Sequence, residues 1–233
     1  MTAEEWSIVL LSLQVSLAAV GGALPVAFGL AWVLARVRFP GKILLDGLVH
    51  LPLVLPPVVI GWLLLIAFAP DGPGGRVLGL LGISVLFRWT GAALAAAVMA
   101  LPLMVRAIRL SLEAVDPRLE AAARTLGAGP WRTFATVTLP LAAPGVLAGA
   151  VLGFARSLGE FGATITFVSN IPEETSTLPL AIYAALQLPG GDAAVWRLAM
   201  MAVALSLVAL MASEALVRAG GQGGGEGRAR HVL

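Results

Sequence analysis

The chain has no cysteine, a single lysine, one tyrosine and two histidines. Without cysteine there is no disulfide, no thiol nucleophile and no thiolate-ligated metal. His50 and His231 lie far apart and form no metal-spacing motif. Lys42, the one lysine, is followed by Ile43. A phosphate loop ending in Gly-Lys-Ser/Thr is therefore excluded, and any energy from ATP must enter through another chain. Charge is scarce too. Only 12% of the 233 residues are charged, against roughly 25% in a soluble domain. Most of the chain must face something other than water.

What fills the sequence instead is apolar. Hydrophobic residues make up 59% of it, and the mean hydropathy is +0.94. The runs are long enough to cross a bilayer. In lipid every backbone N–H and C=O must be paired within the protein, which makes the runs helices. Segments of about ten residues with alternating polarity, as a β-barrel needs, are absent. The expected class is an all-α integral membrane protein. The N-terminus carries Glu4 and Glu5 where a signal peptide carries positive charge, so the first run is expected to be a permanent helix.

Five spans are expected, at about Ile8–Ala35, Ile43–Phe68, Thr90–Val105, Pro144–Val168 and Trp196–Val217. With the N-terminus outside, the inner segments hold Arg36, Arg38, Lys42, Arg106, Arg109, Arg118, Arg124, Arg132, Arg218, Arg228 and Arg230, which is 11 of 15 basic residues. The outer segments hold Arg76, Arg88 and Arg197. The positive-inside rule then puts the N-terminus outside and the C-terminus in the cytoplasm. The net charge of +2 and pI near 9.9 follow from such loops and do not require nucleic acid. Residues 76–88 and 178–188 are apolar but too short to span, and are expected to be surface or re-entrant helices. The Gly-rich stretch 218–233 is expected to be a flexible cytoplasmic tail that touches water or anionic lipid.

The longest inner segment contains EAAARTLGAGPWRTFATVTLP (120–140). Asp116-Pro117 starts a helix and Gly127 stops it. Leu119, Ala122, Ala123 and Leu126 form one apolar stripe, and Glu120 and Arg124 are spaced to pair at i, i+4. Gly129-Pro130 opens a second short helix, and Leu139-Pro140 returns the chain to the membrane. Two readings remain at this level. Either the helix pair lies on lipid, or it is a knob offered to a cytoplasmic partner.

The pattern Glu120-Ala121-Ala122, Gly127, Val137-x-Leu139-Pro140 resembles the EAA loop of type I ABC importer permeases, with Val for the usual Ile. HLPLVLPPVVIG (50–61), LPLMVRAIRLSLEAVDPRLEAAARTLGAG (101–129) and FARSLGEFGATITFVSNIPEET (154–175) resemble the molybdate branch of that family. The likeness covers nearly all of residues 8–217, and sulfate and tungstate permeases are close relatives. The resemblance implies the type I permease fold over 8–217 and a loop at about 111–140 that docks on a cytoplasmic ATPase. It places Glu120, Ala121, Ala122, Arg124, Gly127, Leu139 and Pro140 in that loop. It also implies a second copy of the chain, ABC ATPase subunits and an extracytoplasmic molybdate-binding protein as partners. No catalytic residue, cofactor or metal is implied. A secondary transporter would instead show inverted repeats around a coupling-ion site, and no repeat is visible.

Charges within spans are costly and often functional. Asp46 and His50 are i, i+4 near the inner end of the second span, a position that suits simple solvation. Arg156 and Glu160 are i, i+4 in the fourth span. They form either an internal ion pair or, more sharply, a place where Arg156 offsets the charge of a passing dianion. Pro56 and Pro57, with Pro52, bend the second span and either shape a pore or merely kink it. Phe161, between Gly159-Glu160 and Gly162, is placed at a constriction. Glu173 and Glu174 are exposed loop charges or contacts for a binding protein. Gly145, Gly149, Gly153 and Ser157 recur every four residues and allow close helix approach, within one subunit or across a dimer.

Overall fold

A computed structural model describes residues 2–80 and 82–222, with side chains as far as Met211. Within those residues the regular structure is entirely helical. Helix α1 runs Ala3–Arg36, α2 Lys42–Val54, α3 Pro57–Phe68, α4 Pro73–Leu80 and α5 Trp89–Ala114. After these come α6 (Pro117–Thr125), α7 (Pro130–Thr133), α8 (Leu139–Leu158), α9 (Gly162–Val168), α10 (Leu178–Leu186) and α11 (Asp192–Gln222). A π-helical turn, Phe134–Thr138, joins α7 to α8 without a break.

Four stretches are long and apolar enough to cross a membrane: Ala3–Arg36, Trp89–Ala114, Pro130–Leu158 and Asp192–Met211. The fifth crossing differs from expectation. The second span is not one kinked helix. It is α2 and α3, set at 115° to each other. Pro56 and Pro57 supply no N–H, and a residue before proline is pushed out of the helical region. Leu55 accordingly sits at φ −73°, ψ 143°. At 1.5 Å per residue the two pieces are only about 20 and 18 Å long, so neither spans alone.

Polar contacts fix which helix ends lie together. Arg36 meets Glu120, and Asp46 meets Arg109. These gather the C-termini of α1 and α5, the start of α2 and helix α6 at one end. At the other end Glu5 meets Arg197 and the Trp89 N–H donates to Glu174. The Leu178 N–H donates to Ser12 Oγ there as well. The α2–α3 pair therefore does carry the chain from one end to the other. The segments around α4 and α10 stay at the end where they start, as their lengths required.

Three further boundaries move. Helix α5 runs nine residues past Val105, because Arg109 stays in register to pair with Asp46 and Glu113. Helix α8 starts earlier than the expected fourth span, at Leu139, and stops at Leu158, so that 162–168 form the separate helix α9. Residues 218–222 belong to α11 rather than to a tail, and 223–233 lie outside the described residues.

Helix α5 is the centre of the bundle. Ala19, Ala23, Ala27 and Ala31 make a ridge of small residues along α1, which packs against Ala92, Ala96, Ala100 and Met104 of α5. The glycine repeat of α8 meets the same helix over its C-terminal half. Gly145 faces Ser111, Gly149 faces Ile108, and Gly153 faces the Met104 sulfur. Those glycines make their close approach within one chain, since lipid supplies no hydrophobic drive and tight packing must hold the helices.

A leucine at Gly149 would push into Ile108 and the Met104 carbonyl. Gly149→Leu should cost about 1–3 kcal/mol of stability and lower the melting temperature of the detergent-solubilised protein. Gly159, where a Cβ meets nothing within 4 Å, is the control. Gly159→Ala should change stability by no more than about 0.5 kcal/mol.

Candidate functional site

Two polar constellations stand out against the apolar bundle. The first is the elbow formed by α6, α7 and the π-turn. Asp116 Oδ1 accepts from the Arg118 N–H at 2.9 Å, and Pro117 occupies the first helical position. Gly127 adopts φ +82°, which only glycine enters freely. Its N–H and that of Ala128 then close the helix on the Arg124 and Ala123 carbonyls. The start and stop of α6 are where sequence spacing put them, while the π-turn that runs on into α8 was not expected.

Sequence spacing did not capture the partner of Glu120. The carboxylate does not pair with Arg124. Oε1 lies 2.9 Å from Arg36 Nη2 and accepts from Thr138 Oγ1 at 2.8 Å, while Oε2 lies 3.4 Å from Arg36 Nη1. Arg36 ends α1, 84 residues away, and stacks its guanidinium 5.9 Å above the Trp32 ring. Trp32 in turn meets Phe134 edge-on at 5.1 Å, and Phe134 meets Phe28 and Trp131. Glu120 is thus turned inward. Leu119, Ala121, Ala122, Arg124, Leu126 and Gly127 face out, with Leu126 88% exposed. Trp131, at 83%, extends the exposed apolar edge. Leu139 and Pro140 sit exposed in the first turn of α8, where proline needs no N–H partner.

Beside this elbow, Arg109 donates to Asp46 at 2.9 Å and to Glu113 at 2.8 Å. His50 Nδ1 lies 2.8 Å from the Asp46 carbonyl oxygen. Asp46 is therefore a cross-helix anchor between α2 and α5 as well as a solvated end group.

The second constellation joins the two helix breaks. Gly162 packs against Pro57, and Gly61 packs against the Ala163 carbonyl and Thr166. The Pro56-Pro57 interruption and the Gly159–Phe161 interruption are therefore neighbours, with α3 and α9 running side by side away from them. Arg156 Nη1 lies 2.6 Å from Glu160 Oε2. Glu160 Oε1 accepts from the Ala163 N–H at 2.8 Å and so caps α9. The Glu160 side chain is only 2% exposed, against 26% for Arg156. Phe161 packs against Tyr183 with ring centroids 5.0 Å apart and planes tilted by 50°. Glu174 is used at the start of α5, while Glu173 stays exposed. Among the described residues no group of three His, Asp or Glu is placed to hold a metal ion.

The family described as binding-protein-dependent transport system inner membrane component matches residues 23–219. The chain is 58% identical over 219 residues to the molybdenum transport system permease protein ModB of Escherichia coli K12, covering 94% of this chain and 96% of that one. It is 44% identical over 162 residues to the sulfate transport system permease protein CysT of the same organism, covering 69% and 58%. A solved chain of the MetNI methionine ABC transporter, in inward-facing conformations, superposes with a TM-score of 0.72 over 94% of this chain and 99% of that one. At 17% identity that last likeness speaks for the fold.

Removing Arg156 leaves the Glu160 carboxylate, 2% exposed, without its counter-charge, whereas removing Glu160 leaves Arg156, 26% exposed, and one uncapped N–H. Arg156→Ala should therefore destabilise more than Glu160→Ala. A buried uncompensated charge costs about 3–5 kcal/mol against about 1 kcal/mol for a lost cap, read as a lower melting temperature in detergent.

Proposed function

The chain belongs to the binding-protein-dependent transport system inner membrane components, and on that premise we propose that it carries molybdate into the cell. Its family membership makes it a multi-pass component of the cytoplasmic membrane and the permease part of an ABC importer. Family members are transport subunits rather than enzymes. They work with a separate ATPase and a binding protein, and they dimerise.

The observation that carries the anion is identity of 58% along nearly the whole chain to a molybdenum permease, against 44% along a part of it to a sulfate one. In this reading two copies of residues 8–217 enclose the path. Two cytoplasmic ATPase subunits and an extracytoplasmic molybdate-binding protein complete the assembly, with the N-terminus outside and the C-terminus inside. The gathering of Arg36, Arg109, Arg118, Arg124 and Arg132 around the α6–α7 end supports that orientation.

The α6–α7 elbow is the coupling loop. Its exposed stripe of Leu119, Ala122 and Leu126, flanked by Arg124, suits a groove on the ATPase. The inward-turned Glu120 with Ala121, Gly127, Leu139 and Pro140 frames that stripe. Closure of the ATPase pair on ATP moves the elbow, and the bundle turns from inward-facing to outward-facing. The binding protein then releases its anion, and hydrolysis resets the inward state. The stacked breaks, with Pro56, Pro57, Arg156, Glu160 and Phe161, line the path. Discontinuous helices are tolerated in a membrane where they are buried in protein or line a cavity, which supports this placement.

Proteoliposomes holding the permease, its ATPase and its binding protein should accumulate radiolabelled molybdate only with ATP. Sulfate in excess should compete poorly. Equal competition by sulfate, or uptake without ATP, would overturn the reading. Within the same assembly Leu126→Glu should weaken ATPase co-purification by about tenfold, the cost of one desolvated interface anchor. Arg156→Gln should slow uptake while the assembly stays intact, and unchanged uptake would remove Arg156 from the path.

A further inference from the structure

Helix α6 has little to hold it. It is nine residues long, none of them buried, and its helix neighbours are α7 and the π-turn. A helix that short does not persist in water by itself. Beyond its chain connections to α5 and α7, its tie to the membrane bundle is the Glu120 carboxylate, and that carboxylate reaches two different spans. Arg36 is the last residue of α1, and Thr138, fully buried, immediately precedes α8. The Arg36 contact is a two-pronged guanidinium–carboxylate pair, the arrangement that fixes orientation as well as distance. Both partners are largely shielded, with side chains 21% and 15% exposed, so screening by salt is reduced. The guanidinium is itself held by the Trp32 face, and Trp32 by Phe134 beside the same π-turn.

We infer that Arg36 is a positioning residue for coupling: it makes α1 a driven element, so that displacement of α6 pulls α1 and α8 together. The inference rests on the reading of α6 as the coupling helix and adds a residue outside the loop. Without the Glu120–Arg36 contact, α6 would reach the bundle only through its chain neighbours, α5 by way of buried Val115 and α8 by way of α7 and the π-turn, and its motion would bypass α1. The bidentate pair closes a triangle of α6, α1 and α8, and a triangle transmits direction where a single joint does not. Because α1 packs along α5 over most of its length, motion delivered to its end reaches the centre of the bundle.

The test uses the assembled transporter with its ATPase and binding protein in nanodiscs or liposomes. Arg36→Gln should leave the ATPase subunit bound and hydrolysing, while anions imported per ATP fall about tenfold, in the range of mutations that act on coupling between sites. Arg36→Lys, which keeps the charge and loses the fork, should recover part of that loss. Amide hydrogen exchange across 117–125 should quicken in Arg36→Gln although the substitution is 84 residues away. An unchanged ratio of anion to ATP would overturn the inference. So would unchanged exchange in α6, Lys no better than Gln, or loss of ATPase binding in proportion to loss of transport. Failure of the wild type itself to accumulate molybdate would sink the proposed function, and the exchange arm would still judge the clamp.

Discussion

The bilayer offers no partner to a bare N–H or C=O, and the rest of the structure follows from that constraint. It makes every crossing helical and makes every interruption expensive. Among the described residues the spans have two such interruptions, and the fold does not leave them apart. Pro57 lies on Gly162, and Gly61 on the Ala163 carbonyl. At the first break proline simply has no N–H to orphan. At the second, Glu160 accepts from the Ala163 N–H, and Arg156 neutralises the Glu160 charge. Each break is thereby settled with local groups. Only the interior-facing glycines allow the two to sit side by side.

The same economy governs the polar end of the bundle. Asp46 and Glu113 share Arg109, and Glu120 shares its two oxygens between Arg36 and Thr138. The Asp46–Arg109 and Arg36–Glu120 contacts join elements that are remote in sequence. Sequence spacing pointed to i, i+4 pairs on single helices. The structure keeps Arg156–Glu160 of that kind and adds Arg109–Glu113. For Glu120 it replaces the local option with a distant one, because Arg124 points to solvent while Arg36 is held against Trp32.

What was legible in the sequence was what depends on period and length. The α6 start at Asp116-Pro117, its stop at Gly127, the apolar stripe and the refusal of 178–188 to cross could all be read from residues a few positions apart. The end of α5 was not legible, because Arg106, Arg109 and Glu113 look like loop charge until Asp46 is seen opposite. Nor was the severity of the second-span bend. Pro52 sits within α2 without breaking it, whereas the adjacent Pro56-Pro57 pair turns the chain by 115°. The glycines of α8 announced close approach, but the identity of the neighbour, α5, needed three dimensions. Arg36 carried no signal at all beyond one more positive charge near a span end.

The balance of charge at the stacked breaks bears on where selection can reside. A site that holds a dianion tightly needs convergent donors and uncompensated positive charge. Here the nearest cation, Arg156, already has a carboxylate at 2.6 Å, and that carboxylate is buried against the end of α9. An anion passing this point would have to share Arg156 with Glu160 and would be repelled by Glu160 itself. The local field is close to neutral, so a passing ion is neither rejected outright nor trapped. For a permease that takes its cargo from a binding protein, that is a workable arrangement. Discrimination costs affinity, and affinity inside the path would slow release. In the proposed mechanism the physical demand on these residues is to keep two broken helices sealed until the elbow moves, a task for packed glycines and a buried ion pair rather than for a recognition pocket.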